Sequence, residues 1–344
     1  MSKHHVAQGL MARGNHVFWW GPVRAHHENV PPPEHGGVRE VSSKHWLKGV
    51  NRLPRLIHRW YYGRMIRLLE EQAGTRFDII WCFDTSRMQW FPDHPAFRLL
   101  HLVDYDILYH GHGLMRSADL IVTTADAINV KVLTIAPNAR IHKIGHALDS
   151  RWLNDQAGLE DARVAPPRTV VYSGQFFNTY IDWEALLVVA HEHPTLAFQF
   201  IGIVDHDFPN EAFQRLKRSP NVVFTGLKTK DELIPLVRAA DILTFCFNTD
   251  RRMLERANPH KVLEYLSTGN LIVGTWTLEY EPHQDLLLMA PDPKSFPAIF
   301  NDAVARFTEL NTSQKRSERV AFASKRTIGH LLDQVESLIK GTRS

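Results

Sequence analysis

Lys261 and Glu264 are three residues apart in the stretch from Asn258 to Gly269, and their types and spacing suit the binding of an anion. Asn258 is a good N-cap, and Pro259 suits a first helical position, where its missing N–H would be unpaired anyway. Gly269 suits a left-handed stop, so the stretch predicts a helix of about three turns. At 100° per residue Lys261, Glu264, Tyr265 and Thr268 fall on one face, and Val262, Leu263 and Leu266 on the other. A helix start draws anions through its free N–H groups and dipole, here beside His260. Lys261, in the first turn, can strengthen a phosphate site, and Glu264, one turn deeper, can accept two hydrogen bonds from a ribose diol. The same residues also fit an ordinary capped helix with a Lys–Glu pair worth a few tenths of a kcal/mol.

The flanks favour the chemical reading. Asp241–Phe247 and Leu271–Thr275 both read as apolar strands. Strand, helix and strand make a βαβ unit, whose ligand crevice lies at the carboxyl end of the strand. A second βα series starts at Thr169–Gly174, where Gly174 lets backbone approach a phosphate. It continues through helix Asp182–His193, strand Ala197–Ile203, strand Val222–Thr225 and helix Lys230–Ala240. The alternation predicts parallel sheets covered on both faces.

The order Pro259, Lys261, Glu264, Tyr265 and Gly269 before an apolar strand resembles the donor-binding segment of GT-B glycosyltransferases. The closest look is to the retaining family 4-like transferases of bacterial surface polysaccharides. Arg140–Asp149, a short strand and then Gly145-x-x-x-Asp149, resembles the interdomain signature, and Gly145-His146 resembles a xanthan-type inverting glucuronosyltransferase. The resemblance implies an α/β GT-B architecture with two Rossmann-like, doubly wound parallel-sheet domains facing a cleft. The expected divisions are 1–150 on the acceptor side, 151–318 for the nucleotide sugar, and a helix from 319–344 that crosses back. It also implies a metal-independent glycosyltransferase with no cofactor. This would take a UDP- or GDP-type sugar donor and a glycan or lipid-linked acceptor in cell-surface polysaccharide synthesis. Gly174, Asn258, His260, Lys261, Glu264 and His146 are the donor-binding candidates.

Glycosyl transfer must stabilise the charge of a departing diphosphate, place an acceptor hydroxyl and, if inverting, supply a base. Asp104 ends the predicted strand Phe97–Val103 and matches in position the Asp of the inverting relative, so it is the candidate base. Helix capping explains Asp104 and Asp106 equally well. His146 can contact phosphate or sugar, or line the domain seam. Where retaining members carry an Arg and a Lys after the glycine, this chain has Gln175 and Asn178-Thr179-Tyr180. Where they carry a Glu eight residues before Glu264, it has Arg256, with Glu255 beside it. A non-catalytic partner subunit and a nucleotide-sugar epimerase therefore stay open as alternatives.

Composition sets the frame. A chain of 344 residues with 44% apolar content predicts two folded domains and no disorder. No apolar run is long enough for a membrane span, and no signal peptide is evident. Cys82 and Cys246 fall in predicted buried strands, which fits reduced thiols in the cytoplasm. The twenty histidines do not adopt metal-ligand spacing. From Val41 to Leu69 there are seven basic residues (Lys44, Lys48, Arg52, Arg55, Arg59, Arg64 and Arg67) and no acidic one, interleaved with Trp46, Trp60, Tyr61 and Tyr62. That stretch reads as a surface for anionic lipid headgroups or as a solvated helix with an aromatic core face. No nucleic-acid module accompanies it. At the amino end, a helix to Gly14 precedes a strand at His16–Trp20. The family places a strand and a glycine-bearing loop before such a helix. Either the start is truncated or the sheet begins one strand late.

Overall fold

Runs of β-branched and aromatic residues alternate with helical periodicity along the chain, and in the computed structural model the runs become parallel strands. The structure describes residues 3–20, 39–41, 49–85, 88–105, 111–154, 165–177, 179–248 and 258–343. The chain divides into two units, residues 1–147 with 328–344 and residues 148–327.

The first unit holds α1 (Lys3–Ala12), β1 (Phe18–Trp20), β2 (Arg39–Val41), α2 (Arg55–Ala73), β3 (Ile79–Cys82), β4 (Phe97–Leu102), α3 (His112–Ser117), β5 (Leu120–Thr123), α4 (Asp126–Ile135) and β6 (Ile141–Lys143). Strands β3-β4-β5-β6 form one parallel sheet, and β1-β2 form a separate parallel pair. Arg98 and Asp119 tie the start of β4 to that of β5, with Asp119 accepting from the Arg98 backbone N–H at 2.8 Å and from its Nε at 3.0 Å. Gly74 ends α2 in the left-handed conformation (φ 72°) that a side chain would disfavour.

The second unit holds β7 (Thr169–Phe176), α5 (Trp183–Glu192), β8 (Ala197–Val204), α6 (Glu211–Leu216), β9 (Val222–Gly226), α7 (Lys230–Ala239), β10 (Ile242–Phe245), α8 (His260–Leu266), β11 (Leu271–Thr275), β12 (Leu288–Ala290), α9 (Phe296–Ala305), α10 (Phe307–Leu310) and α11 (Ser313–Ser324). Its six strands are all parallel, in the order β12-β11-β10-β7-β8-β9. Strand β7 is central, and the winding reverses between β7 and β10, so the topological switch point lies at their carboxyl ends. Side-chain caps fix the helix starts that bring the chain back. Asp182 accepts from the Ala185 N–H at 2.9 Å, Asn210 caps α6, and Thr229 and Glu232 form a reciprocal capping box on α7.

The single helix expected over 319–344 is broken. Helix α11 stops at Ser324, and α12 (Ile328–Arg343) belongs to the first unit. The break has a local cause: the Arg326 carbonyl accepts from the Leu148 N–H at 2.6 Å, and Thr327 pairs with Leu148 in a parallel bridge that closes the second unit. Cys82 and Cys246 are buried free thiols.

Candidate functional site

The switch point of the second unit is lined by glycine. Gly174 on β7 stands opposite Gly202 on β8. A Cβ built at Gly202, where φ is 150°, would lie 1.7 Å from the Gly174 carbonyl oxygen. A Cβ at Gly174 would lie 2.9 Å from the Lys261 Nζ. The strand pair therefore approaches closely only because Gly202 lacks a side chain, and the space beside Gly174 holds the Lys261 ammonium.

Helix α8 presents that ammonium. It is shorter than its sequence pattern predicts, with Pro259 rather than Asn258 at the N-cap and no side-chain cap. Asn258 lies just outside, half-buried. The carboxyl end follows expectation, because Gly269 is left-handed (φ 70°). The expected polar face is not open: Tyr265 and Thr268 are fully buried. The Tyr265 hydroxyl accepts from the Ser173 N–H at 2.8 Å and lies 3.0 Å from the Ser173 Oγ. That pair fastens α8 to β7 one residue before Gly174, and burial pushes the Tyr265 hydroxyl's pKa up.

Lys261 Nζ lies 4.4 Å from the centroid of the Tyr172 ring. This is a cation–π contact in a desolvated place. Burial lowers the Lys261 pKa to about 7, with Glu264 opposing the shift. Glu264 is itself buried and is held by the Lys230 ammonium, while His260 Nδ1 lies 3.5 Å from its Oε1. Lys230 starts α7 and also lies 5.3 Å from the centroid of the Trp152 ring. Two lysines, one histidine and one carboxylate thus meet around α8, beside Gly174 near the end of β7. Such a set can neutralise a polyanion and offer a carboxylate to a diol.

The structure brings Gly174, His260, Lys261 and Glu264 together, with Asn258 at the approach to α8. Asp104 and His146 belong to the other unit. Asp104 is exposed, two residues beyond the end of β4, and His146 is half-buried just after β6. Asp106, Asn178, Glu255 and Arg256 lie outside the described residues. Three contributors were not singled out from the sequence: Lys230, Tyr172 and Gly202. The Thr229–Glu232 capping box does fix Lys230 at a helix start, but its pairing with Glu264 across 34 positions leaves no local trace. Among the described residues no cluster of His, Cys, Asp and Glu can hold a metal ion.

The back of α8 is also gripped. Arg316 and Arg319 of α11 are buried. Arg319 donates to the carbonyls of Gly269, Leu286 and Leu310 at 3.1, 2.8 and 2.7 Å and to Asn311 Oδ1 at 2.9 Å. Arg316 donates to Asn270 Oδ1 at 2.8 Å. Cations at the carboxyl end of a helix complement its dipole.

No family model and no curated protein sequence matches this chain. Solved structures do match. Alr3699/HepE of Anabaena, solved with UDP, is 13% identical, with TM-score 0.68 over 99% of this chain and 96% of that one. A glycosyltransferase from Rickettsia africae is 11% identical, with TM-score 0.70 over 99% and 93%. WaaG, a glycosyltransferase involved in lipopolysaccharide biosynthesis, is 12% identical, with TM-score 0.64 over 98% and 94%. The fold is GT-B. A GT-B chain carries two α/β units with parallel sheets, as here, and the six-stranded one holds the lysine and glycine site.

Proposed function

We propose that this protein is a glycosyltransferase. It moves a sugar from a nucleoside-diphosphate donor, of UDP or GDP type, to a glycan or lipid-linked acceptor in cell-surface polysaccharide synthesis. The observation that carries the reading is the Lys261 ammonium seated against Gly174 at the switch point of the six-stranded sheet. A diphosphate docked there meets one ammonium directly and backbone without side chains beside it. Glu264, already oriented by Lys230, receives the ribose hydroxyls, and Asn258 and His260 close the approach. The structural relative solved with UDP supports the choice of ligand class.

In this reading the charge that develops on the departing diphosphate is met by Lys261 and by the dipoles around it, so no divalent ion is needed. Asp104 takes the acceptor proton, and His146 contributes to the donor from the first unit. The protein works in the cytoplasm, on the inner face of the membrane. Helix α2 supports that placement by presenting exposed Leu56, Ile57 and Trp60 beside Arg55 and Arg59. Lys44 and Lys48 of the same basic stretch lie outside the described residues. No helix among the described residues is long and apolar enough to cross a membrane.

The test is calorimetry with UDP and GDP, followed by assay of diphosphate release from their sugars with lipid-linked acceptors, in the presence and absence of a chelator. Binding of one diphosphate, and its release without added metal, is the expected result. If neither nucleotide binds, the reading fails. If one binds but no transfer occurs without a second protein, the partner-subunit alternative takes its place. Gln175, exposed at the position of the expected pyrophosphate clamp, favours that alternative.

A further inference from the structure

Lys230 stands where helix stability alone disfavours a cation. It opens α7, and a positive charge in the first turn opposes the helix dipole. The rest of that turn follows the rule, with Asp231 and Glu232 acidic and with Thr229 and Glu232 capping each other. The capping box fixes the backbone at Lys230, and the side chain runs to α8, where its ammonium donates to Glu264 Oε1. The same ammonium lies 5.3 Å from the centroid of the Trp152 ring. Trp152 is fully buried and is itself held, because its carbonyl accepts from Arg238 at 2.9 Å. A partly buried ion pair is a weak source of stability, since two charges leave water to make it. Its use lies in what it leaves open.

The two partners do not exhaust each other. An ammonium has three N–H groups, and a carboxylate has about four lone-pair sites. Lys230 gives one N–H to Glu264 and donates to no other described acceptor. Glu264 Oε1 takes that bond and also lies 3.5 Å from His260 Nδ1. Glu264 Oε2 accepts from no described residue, although the side chain is only 8% exposed. A carboxylate oxygen buried without a donor is costly. One cationic donor and one anionic acceptor therefore stand side by side, each with capacity that the described residues leave unused. A hydroxyl is a donor and an acceptor at once and fits between them. A methylene is neither.

We propose that Lys230 is a specificity-determining residue, which acts with Glu264 to select ribonucleotide donors over 2′-deoxyribonucleotide ones. The inference rests on the glycosyltransferase reading above, in which the ribose meets Glu264. The ribose 2′-hydroxyl donates to Glu264 Oε2, and its oxygen accepts from the Lys230 ammonium. Both charged groups are then paired. Without that hydroxyl, a carboxylate oxygen and an ammonium N–H are desolvated by the sugar and gain nothing in return. A site built to hydrogen-bond a hydroxyl rejects the analogue lacking it far more strongly than an apolar pocket distinguishes one methylene. Donors of the UDP and GDP class fit the pair, and those built on a 2′-deoxynucleoside diphosphate are excluded.

The test is calorimetry on the full chain with UDP, GDP and their 2′-deoxy counterparts. The parent binds its ribonucleotide about 100-fold or more tightly than the deoxy form, as the loss of two charge-assisted hydrogen bonds requires. Lys230→Met weakens ribonucleotide binding and lowers that ratio by about fivefold or more. Lys230→Gln keeps similar length without the charge and lowers the ratio by about threefold or more, which serves where the methionine variant does not fold. A residue that merely supported the fold would weaken both nucleotides alike and leave the ratio unchanged. The inference is overturned if the parent's ratio is below about tenfold. It is equally overturned if a folded Lys230 variant that still binds the ribonucleotide keeps the parent's ratio. A parent that binds neither UDP nor GDP overturns the glycosyltransferase reading as well, whereas one that binds either without discrimination overturns the role of Lys230 alone.

Discussion

Lys261 and Tyr172 face each other at 4.4 Å, the ammonium over a ring that stands two residues before Gly174 on β7. A lysine held there is charged or neutral according to what enters the site. With burial lowering its pKa to about 7, the empty site is near half-protonation at neutral pH. A bound diphosphate favours the ammonium and raises that pKa. Affinity is therefore full below about pH 7 and falls as pH rises through that value, by as much as about tenfold per pH unit. Calorimetry of UDP binding in two buffers of different ionisation enthalpy will show proton uptake at pH 8 and almost none at pH 6. Lys261→Met abolishes the uptake and weakens binding by roughly 10- to 100-fold, the cost of one charge-assisted hydrogen bond.

The two glycines separate binding from stability. Gly202→Ala places a Cβ against the Gly174 carbonyl, where backbone must move, in a conformation that L-residues rarely adopt. A loss of about 3 kcal/mol or more is expected, read as a lower midpoint in urea. Gly174→Ala meets only the end of a flexible lysine. Its midpoint stays within about 1 kcal/mol of the parent, while nucleotide affinity drops because the ammonium is displaced.

His101 makes the first unit sensitive to acid. It is fully buried on β4 against the rings of Trp81 and Phe83, and neither ring nitrogen has a hydrogen-bond partner among the described residues. Burial lowers its pKa from 6.5 to about 3. Below pH 6.5 the unfolded chain takes up a proton that the folded chain refuses, so stability present above 6.5 is lost as pH falls toward 3. The loss is about 2 kcal/mol by pH 5. His101→Phe removes that slope, which thermal unfolding at pH 7.5 and pH 5 will measure.

The exposed face of α2 can be tested apart from catalysis. Leu56, Ile57 and Trp60 are 78%, 49% and 63% exposed. Co-sedimentation with phosphatidylglycerol vesicles is expected for the parent chain, weakening as salt screens the arginines. Leu56→Ser with Trp60→Ser reduces it severalfold without changing UDP affinity. No binding to anionic vesicles at low salt would remove the membrane from the account.

Much of the second unit was legible in sequence because its strands are apolar runs between capped helices, a pattern set by burial alone. Leu271–Thr275 falls where expected, and α5 starts one residue after Asp182, its cap. The site was legible only in part. Lys261 and Gly174 were visible because a helix start and a strand end are local features. That Tyr265 would be buried against Ser173, rather than look outward, depends on contact with a residue 92 positions away. Helical periodicity places a residue on a face, and it does not say what covers that face. Strand β2 went unread for a related reason: Arg39-Glu40-Val41 has no apolar alternation, and the pairing with β1 determines it.

Arg319 shows how far behind the site its geometry is decided. The guanidinium is buried, and its acceptors are three carbonyls and one amide oxygen, all neutral. Burial, with Arg316 adding repulsion, lowers its pKa to about 10, so it stays charged at neutral pH. The arrangement persists because the carbonyl of Gly269, just beyond the carboxyl end of α8, and those of Leu286 and Leu310 need donors, and water is excluded. Arg319→Met leaves these acceptors unpaired and removes a cation from the negative end of the helix dipole, at a cost of roughly 3 kcal/mol. Arg319→Lys keeps the charge, but one ammonium with three donors cannot span four separated acceptors, so it recovers only part of the loss. Because α8 also carries Lys261, both variants lower the unfolding midpoint and nucleotide affinity together. Lys261→Met lowers affinity alone. If Arg319→Met kept full affinity for UDP at a reduced midpoint, the grip on α8 would be structural and of no consequence for the ammonium at its other end.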